Sequence, residues 1–525
     1  MGNNRKSAEK HKVIAQRFTH QFRARSMLGS RVLKLVLWPR RIAVKCHMSR
    51  ILILALILIS SPIAPAFCQD LIEVQIDRRF ELMSIVFRLA DFSEFRMGNV
   101  SDYNEAVDTF FSPFKEHAAV RMARELRRSV AFDAIPNLAV RATDAVSFKP
   151  LRSLKDPSTH LDSRWKPEVA AEFLKAMASF AKDTKADQFF KAQEPLYRLT
   201  LDSCREGLLS HLDQGWFERT FGTRDRDSFT LCIALLNGPG NYGASVANNK
   251  GGEDLFALIG TGETPRGKSP SFSQAYLGTL VHEFLHSFVN PWVDRHLQDL
   301  KAAGEALNAP VIEQMKRQAY GPAYAALRES MVRAFTIRYF RDVGQDSEAG
   351  SQEAEQDKRG FYWVKDLAEL LGDYTRNRAQ YSDLEAFSPK LVTAFKMWGS
   401  EAPKRFAAWQ EARQARLDAL YAKGPKLVSM EPANGAQDVD PAIAIIQFVF
   451  DRPMKSGTAL MRSGGTFPEK AGNPTWDVEG RVLSFPVHLK PGTTYRFGLN
   501  AEDMYGFQDR DGSPLQPIIV SFRTR

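Results

Sequence analysis

The sequence predicts an α+β protein: a mainly helical region that carries a small β-sheet, followed by an all-β sandwich. Three observations predict it. Between residues 70 and 222 apolar side chains recur at the three-to-four spacing of buried helix faces. Near residues 229–260 two short apolar runs, rich in β-branched residues or closed by glycine, interrupt that pattern. From Lys426 onward short strand-like runs alternate with turn formers.

In order, Leu82, Ile85, Val86 and Leu89 mark one helix face within a stretch from Asp70 to Val120 that reads helical throughout. Ala106, Phe110 and Phe111 mark a second helix, and Ala118 to Leu126 a third. Phe173, Met177, Phe180 and Phe189 extend the pattern through 165–222. Phe229 to Leu236 is a strand, stopped by the turn Asn237-Gly238-Pro239-Gly240, and Leu255 to Gly260 is another. After the loop Thr261–Ser269, Ser271 or Ser273 caps a long helix that runs to Asn290, where Pro291 is expected to end it. Helices resume through about Lys423. Ile443–Phe450, Arg481–Val487 and Thr494–Leu499 then read as strands, with Pro491-Gly492 and Asp511-Gly512 as turns. Gly424-Pro425 divides the two regions, giving a leader over 1–68, a catalytic region over 69–424 and a sandwich over 425–525.

The chain has 525 residues and a formal net charge of +10. The surplus is local: residues 1–68 hold thirteen Lys/Arg and one acid (Glu9), leaving 58 basic and 60 acidic residues in the remainder. A nucleic-acid partner is therefore not implied. Met48-Ser49-Arg50, the apolar run Ile51–Ile59 and the end Ala64-Pro65-Ala66 match a secretory signal peptide. An exported, periplasmic or secreted protein is expected, with Met48 as the true start. The alternative is a signal anchor with a basic tail, which the short apolar run disfavours. Beyond the leader, Cys204 and Cys232 form a disulfide in an oxidising compartment or remain two buried thiols.

The chemistry lies in Thr279-Leu-Val-His-Glu-Phe-Leu-His-Ser-Phe288. His282 and His286 are four apart, so a helix projects both imidazoles from one face onto a single Zn²⁺. Glu283 is placed to act as general base toward a water that the metal acidifies. With ten histidines in the chain, this motif arises by chance in about one such sequence in a hundred. Apart from the motif residues the stretch is uncharged, as a buried metal helix requires.

The geometry of such sites calls for a third protein ligand. Val289 and Trp292 stand where a metzincin would need Gly and His, so a downstream acid is expected. Glu305 follows His286 after eighteen residues, on what reads as a solvated helix face. Glu329 lies on a second helix among Ala325, Ala326, Val332 and Thr336, small enough to permit close packing, and is preferred. Arg333, one turn on, is expected to orient Glu329 or to stabilise an oxyanion. Asn241 and Tyr242 are candidates for substrate contact, and Tyr320 a lesser one. His296 and Asp294 are expected to face solvent.

The run His282-Glu-Phe-Leu-His-Ser-Phe-Val-Asn-Pro291, with Glu329-Ser-Met-Val-Arg-Ala334 and Asn241-Tyr-Gly243, resembles the bacterial DUF4932 proteins. The resemblance spans roughly residues 75–400 and implies a zincin-like, gluzincin-type metallopeptidase. Pro432-Ala-Asn-Gly435, Leu489-Lys-Pro-Gly-Thr-Thr-Tyr495 and Ser521-Phe-Arg-Thr524 are similar to bacterial Ig-like domains of the Big_5 type. That similarity implies a spacer or adhesive module in contact with a cell-envelope or surface polymer. The combined expectation is an exported zinc hydrolase acting on a protein or peptide. Its rival is an exported binding or adhesion protein whose zincin-like domain has lost turnover.

Overall fold

Segregation of apolar and polar positions along the helices dictates most of the architecture, which the computed structural model describes for residues 72–502 and 504–525. The leader, with its signal-peptide and start-codon expectations, lies outside the described residues. The fold is α+β. In chain order it runs β1 (Ile72–Gln75), α1 (Arg78–Leu89), α2 (Ser101–Phe111), α3 (Ala118–Leu126), α4 (Ala134–Ala139), α5 (Pro167–Asp183), α6 (Ala186–Gly207) and α7 (Gln214–Phe221). Then come β2 (Ser228–Ala234), β3 (Tyr242–Ala247), β4 (Glu253–Gly260), α8 (Leu277–Arg295), α9 (Leu297–Asn308), α10 (Ile312–Arg317) and α11 (Ala323–Asp342). The helices α12 (Asp346–Lys358), α13 (Val364–Arg376), α14 (Leu384–Ser400) and α15 (Ala402–Ala422) complete the helical part. Among the described residues no helix is long and apolar enough to cross a membrane.

Contacts divide the chain into two units. The first comprises the described residues up to Gln298, with Leu327–Glu353 and Lys365–Leu391. At its centre is a four-stranded sheet in the order β1-β2-β4-β3, parallel except for β3, which runs antiparallel to β4. The expected helix face of α1 is real: Leu82, Ile85, Val86 and Leu89 are buried. In α2 the buried face is Tyr103, Val107 and Phe111 rather than Ala106 and Phe110, because Tyr103 hydrogen-bonds into the core. Residues 72–75, expected to be helical, form β1. Their partner is Phe229–Cys232, more than 150 residues away, so local periodicity does not reveal the pairing.

A buried polar network ties α1 to the end of β2. Glu81 is fully buried, accepts the Leu235 N–H at 3.0 Å and the Tyr103 hydroxyl at 2.8 Å, and Tyr103 lies 2.9 Å from the Tyr197 hydroxyl. Burial outweighs these hydrogen bonds and pushes the Glu81 pKa up to about 7. Cys204 and Cys232 are both buried free thiols.

The second unit comprises Asp299–Ala326, Ala354–Val364 and Val392–Arg525. Its β part has one sheet ordered β5 (Leu427–Glu431), β6 (Ile445–Phe450), β10 (Val482–His488), β8 (Glu469–Lys470), with β9 (Thr475–Trp476) also on β10. The other sheet is β12 (Ile518–Arg523), β11 (Thr494–Leu499), β7 (Leu460–Arg462). Alternate residues Ile446, Phe448 and Phe450 on β6, Leu483, Phe485 and Val487 on β10, and Tyr495, Phe497 and Leu499 on β11 fill the core. Their period of two is what a sheet buried on one face requires.

Candidate metal centre

Helix α8 carries the histidines because its apolar residues follow helical spacing. Leu277, Leu280, Val281, Phe284, Leu285, Val289, Trp292 and Val293 are buried on one stripe, and the helix packs on β3 and β4. Contrary to expectation, Pro291 does not end α8, which continues to Arg295. A proline at that position removes the N–H that would bond the Ser287 carbonyl. Arg224 replaces it, donating Nη1–H to Ser287 O at 3.1 Å while its guanidinium lies 5.1 Å from the Phe288 ring centroid. The substitute hydrogen bond is the physical reason the helix survives its proline.

Helix α11 is buried on all sides from Glu329 to Phe340. A carboxylate there needs partners. Glu329, 8% exposed, has three: the Arg333 guanidinium at 2.8 Å, His286 Nε2 at 3.4 Å and His282 Nε2 at 3.6 Å. Burial alone would raise its pKa, but the charges of Arg333, His282 and His286 outweigh that and hold it at about 2. The two imidazole rings stand nearly perpendicular with centroids 4.9 Å apart. One donor atom from each of His282, His286 and Glu329 lies within 4.8 Å of the other two.

These separations can be compared with the demands of a metal. Bonds of about 2.1 Å place adjacent donors of a tetrahedron about 3.4 Å apart. His286 Nε2 lies 3.4 Å from Glu329 Oε1 and His282 Nε2 3.6 Å from Oε2, each near that value, and one donor from each residue lies within 4.8 Å of the others. Two imidazoles and one carboxylate are a donor set suited to Zn²⁺ and other borderline divalent ions. The three residues therefore suit a metal in donor type, and their donor atoms need to draw in by about an ångström at most to ligate one ion.

Glu283, beside the first ligand, does not join the donor group. Burial raises its pKa to about 8, with the Glu329 charge adding and Arg333 opposing. The phenol of Tyr242 is pushed well above its ordinary pKa by burial, and then by the charges of Glu94, Asp133 and Glu283. Tyr242 therefore lies within electrostatic reach of Glu283 and stays protonated at neutral pH. Asn241 serves the scaffold, where its Oδ1 accepts the Gly260 N–H at 3.1 Å and pins the turn before β3 to the end of β4. Glu305 is exposed, with Lys301 Nζ at 4.0 Å, and is not part of the group. Tyr320 packs its ring on Phe361.

Asp294 is exposed and paired with Arg328. His296, by contrast, is not solvent-facing: its side chain is 17% exposed, with Glu385 Oε1 at 2.8 Å and the Ser388 hydroxyl at 3.2 Å, because α8 continues past Pro291 and keeps it packed. Two features escaped the sequence. Strand β3, too rich in Gly, Ala and Ser to read as a strand, is one of the two end strands of the sheet. Asn290 brings its amide to His286 Nδ1, at 3.3 Å for Nδ2 and 3.4 Å for Oδ1; its i+4 spacing from His286 was the signal available.

Residues 72–394 match the model of a domain of unknown function, DUF4932, and residues 422–524 that of a bacterial Ig-like domain. No curated protein matches the chain. Two solved structures are similar to it, one of the surface-layer protein SbsC, domains 1–6, and one a crystal structure of the S-layer protein rSbsC. They share 14% and 16% identity over 50% and 47% of this chain, each with a TM-score of 0.15. The alignments cover 35% and 33% of those chains, so this chain spans about a third of their length. With more than half of its residues inside the first family match, the chain belongs to the DUF4932 family and carries a bacterial Ig-like domain at its C-terminal end.

Proposed function

We propose that the protein is a zinc-dependent hydrolase, a metallopeptidase that cleaves peptide bonds with Glu283 as its proton carrier. The observation that carries the reading is the convergence of His282, His286 and Glu329, whose donor atoms lie within 4.8 Å of one another, with Glu283 next to His282 in the chain. A zinc ion held there would supply Lewis acidity and lower the pKa of a water toward about 7. The charge of a bound cation would offset the burial that raises the Glu283 pKa, so that Glu283 could take the proton of the attacking water and deliver it to the leaving amine. Arg333 fixes the Glu329 carboxylate through the buried ion pair. Tyr242, whose phenol is protonated and within electrostatic reach of Glu283, is a candidate donor to a developing oxyanion.

The sheet also bears on substrate. Strand β4 lies between β2 and β3, so both of its edges are already paired. Of the two end strands, β1 and β3, it is β3 that α8 packs against, which makes its free edge the candidate to accept a peptide by β-addition. The test is zinc content of the purified chain by mass spectrometry, with digestion of a peptide library. About one zinc per chain, lost in His286→Ala and Glu329→Ala but kept in Glu305→Ala, with cleavage abolished in Glu283→Gln, is the expected result. Stoichiometric zinc without cleavage would favour a binding protein, and no zinc at all would end the hydrolase reading.

A further inference from the structure

We infer that Asn290 is a positioning residue that sets the tautomer and ring orientation of His286 for metal binding. The inference rests on the metal reading above. His286 turns Nε2 toward Glu329 Oε1 at 3.4 Å and Nδ1 toward the amide of Asn290. The amide lies with Oδ1 at 3.4 Å and Nδ2 at 3.3 Å from Nδ1. Both distances sit just outside the usual hydrogen-bond range of about 2.7–3.2 Å. Asn290 is partly exposed, and a turn of its amide would bring either atom into that range.

The chemistry requires such a partner. A ring that gives its Nε2 lone pair to a metal carries its proton on Nδ1, and that proton needs an acceptor. Asn290 Oδ1 is that acceptor. Without a metal, His286 Nε2 can donate to Glu329, and Nδ1 becomes an acceptor for Asn290 Nδ2–H. A carboxamide serves both states by turning over, because it presents an acceptor on one side and a donor on the other.

The backbone supports the assignment independently. Had Pro291 ended α8, Asn290 would have left the helical position that faces His286. The helix runs on to Arg295, and Arg224 satisfies the Ser287 carbonyl that the proline leaves without its amide. Asn290 is thereby held one turn beyond His286, on the same face.

Zinc affinity of the full chain, measured by chelator competition, tests the assignment for the wild type, Asn290→Ala, Asn290→Asp and His286→Ala. Asn290→Ala is expected to bind zinc about 10- to 100-fold more weakly, with the melting temperature of the metal-free protein unchanged. Asn290→Asp should recover the affinity, since a carboxylate accepts the Nδ1 proton. Wild-type affinity in Asn290→Ala, or a loss that Asn290→Asp does not recover, overturns the role of Asn290 while leaving the metal site standing. A wild type that binds no zinc overturns both.

Discussion

Replacing Arg333 by methionine tests the electrostatic logic of the centre in the absence of metal. Arg333 and Glu329 are 5% and 8% exposed and 2.8 Å apart, one turn apart on a helix that is buried all round. Methionine keeps much of the side-chain volume but strands a carboxylate in the interior. Breaking a buried pair in this way costs about 3–5 kcal/mol. The imidazoles at 3.4 and 3.6 Å offset part of the loss, so the lower end, about 3 kcal/mol, is expected. Adding Glu329→Gln removes the stranded charge, and the double variant should recover most of that loss. The assay is urea unfolding of metal-stripped protein, comparing the two single variants with the double in one thermodynamic cycle. An Arg333→Met cost below about 1 kcal/mol, or a double variant no more stable than Arg333→Met alone, refutes the argument.

Two further predictions concern the scaffold. Glu81 keeps its proton to about pH 7 in the folded protein but loses it near its ordinary value when unfolded, so stability should fall as pH rises through that window. The fall is about 3 kcal/mol, level above pH 7, and absent in Glu81→Gln; urea unfolding at pH 5 and pH 8 that gives both proteins the same slope would contradict it. Arg224→Ala should cost about 1–3 kcal/mol by orphaning the Ser287 carbonyl. In a Pro291→Ala background the helix regains its own N–H and the cost should shrink, whereas equal costs in both backgrounds would show that Arg224 does not act through that carbonyl.

Much of the site was legible because its signals are local. His282, Glu283 and His286 lie within one and a half helical turns, and spacing along a helix converts directly into position in space. Glu329 was legible one step less directly: an acid among small residues on a helix fits a buried contact, while Glu305 on a charged face does not. Pro291 misled, since the rule that a proline ends a helix assumes that nothing else satisfies the freed carbonyl, and Arg224, 63 residues upstream of Ser287, does so. His296 was misplaced for the same reason. β1 and β3 were missed because a short strand is defined by its partner, and four or six residues of weak alternation carry no trace of it.

By itself the sequence determined the α+β class, the helical identity of the motif segment, the alternation that builds the sandwich core and the residue types at the candidate metal centre. All of these depend on periodicity or on spacing within one element. Tertiary structure alone decided which strands end the sheet, how β4 came to lie inside it, and that Arg224 packs on the histidine helix. It also decided that the donors of His282, His286 and Glu329 meet within 4.8 Å of one another. These are relations between segments far apart in the chain. They are set by burial, which forces Glu329 to find its partners across the core.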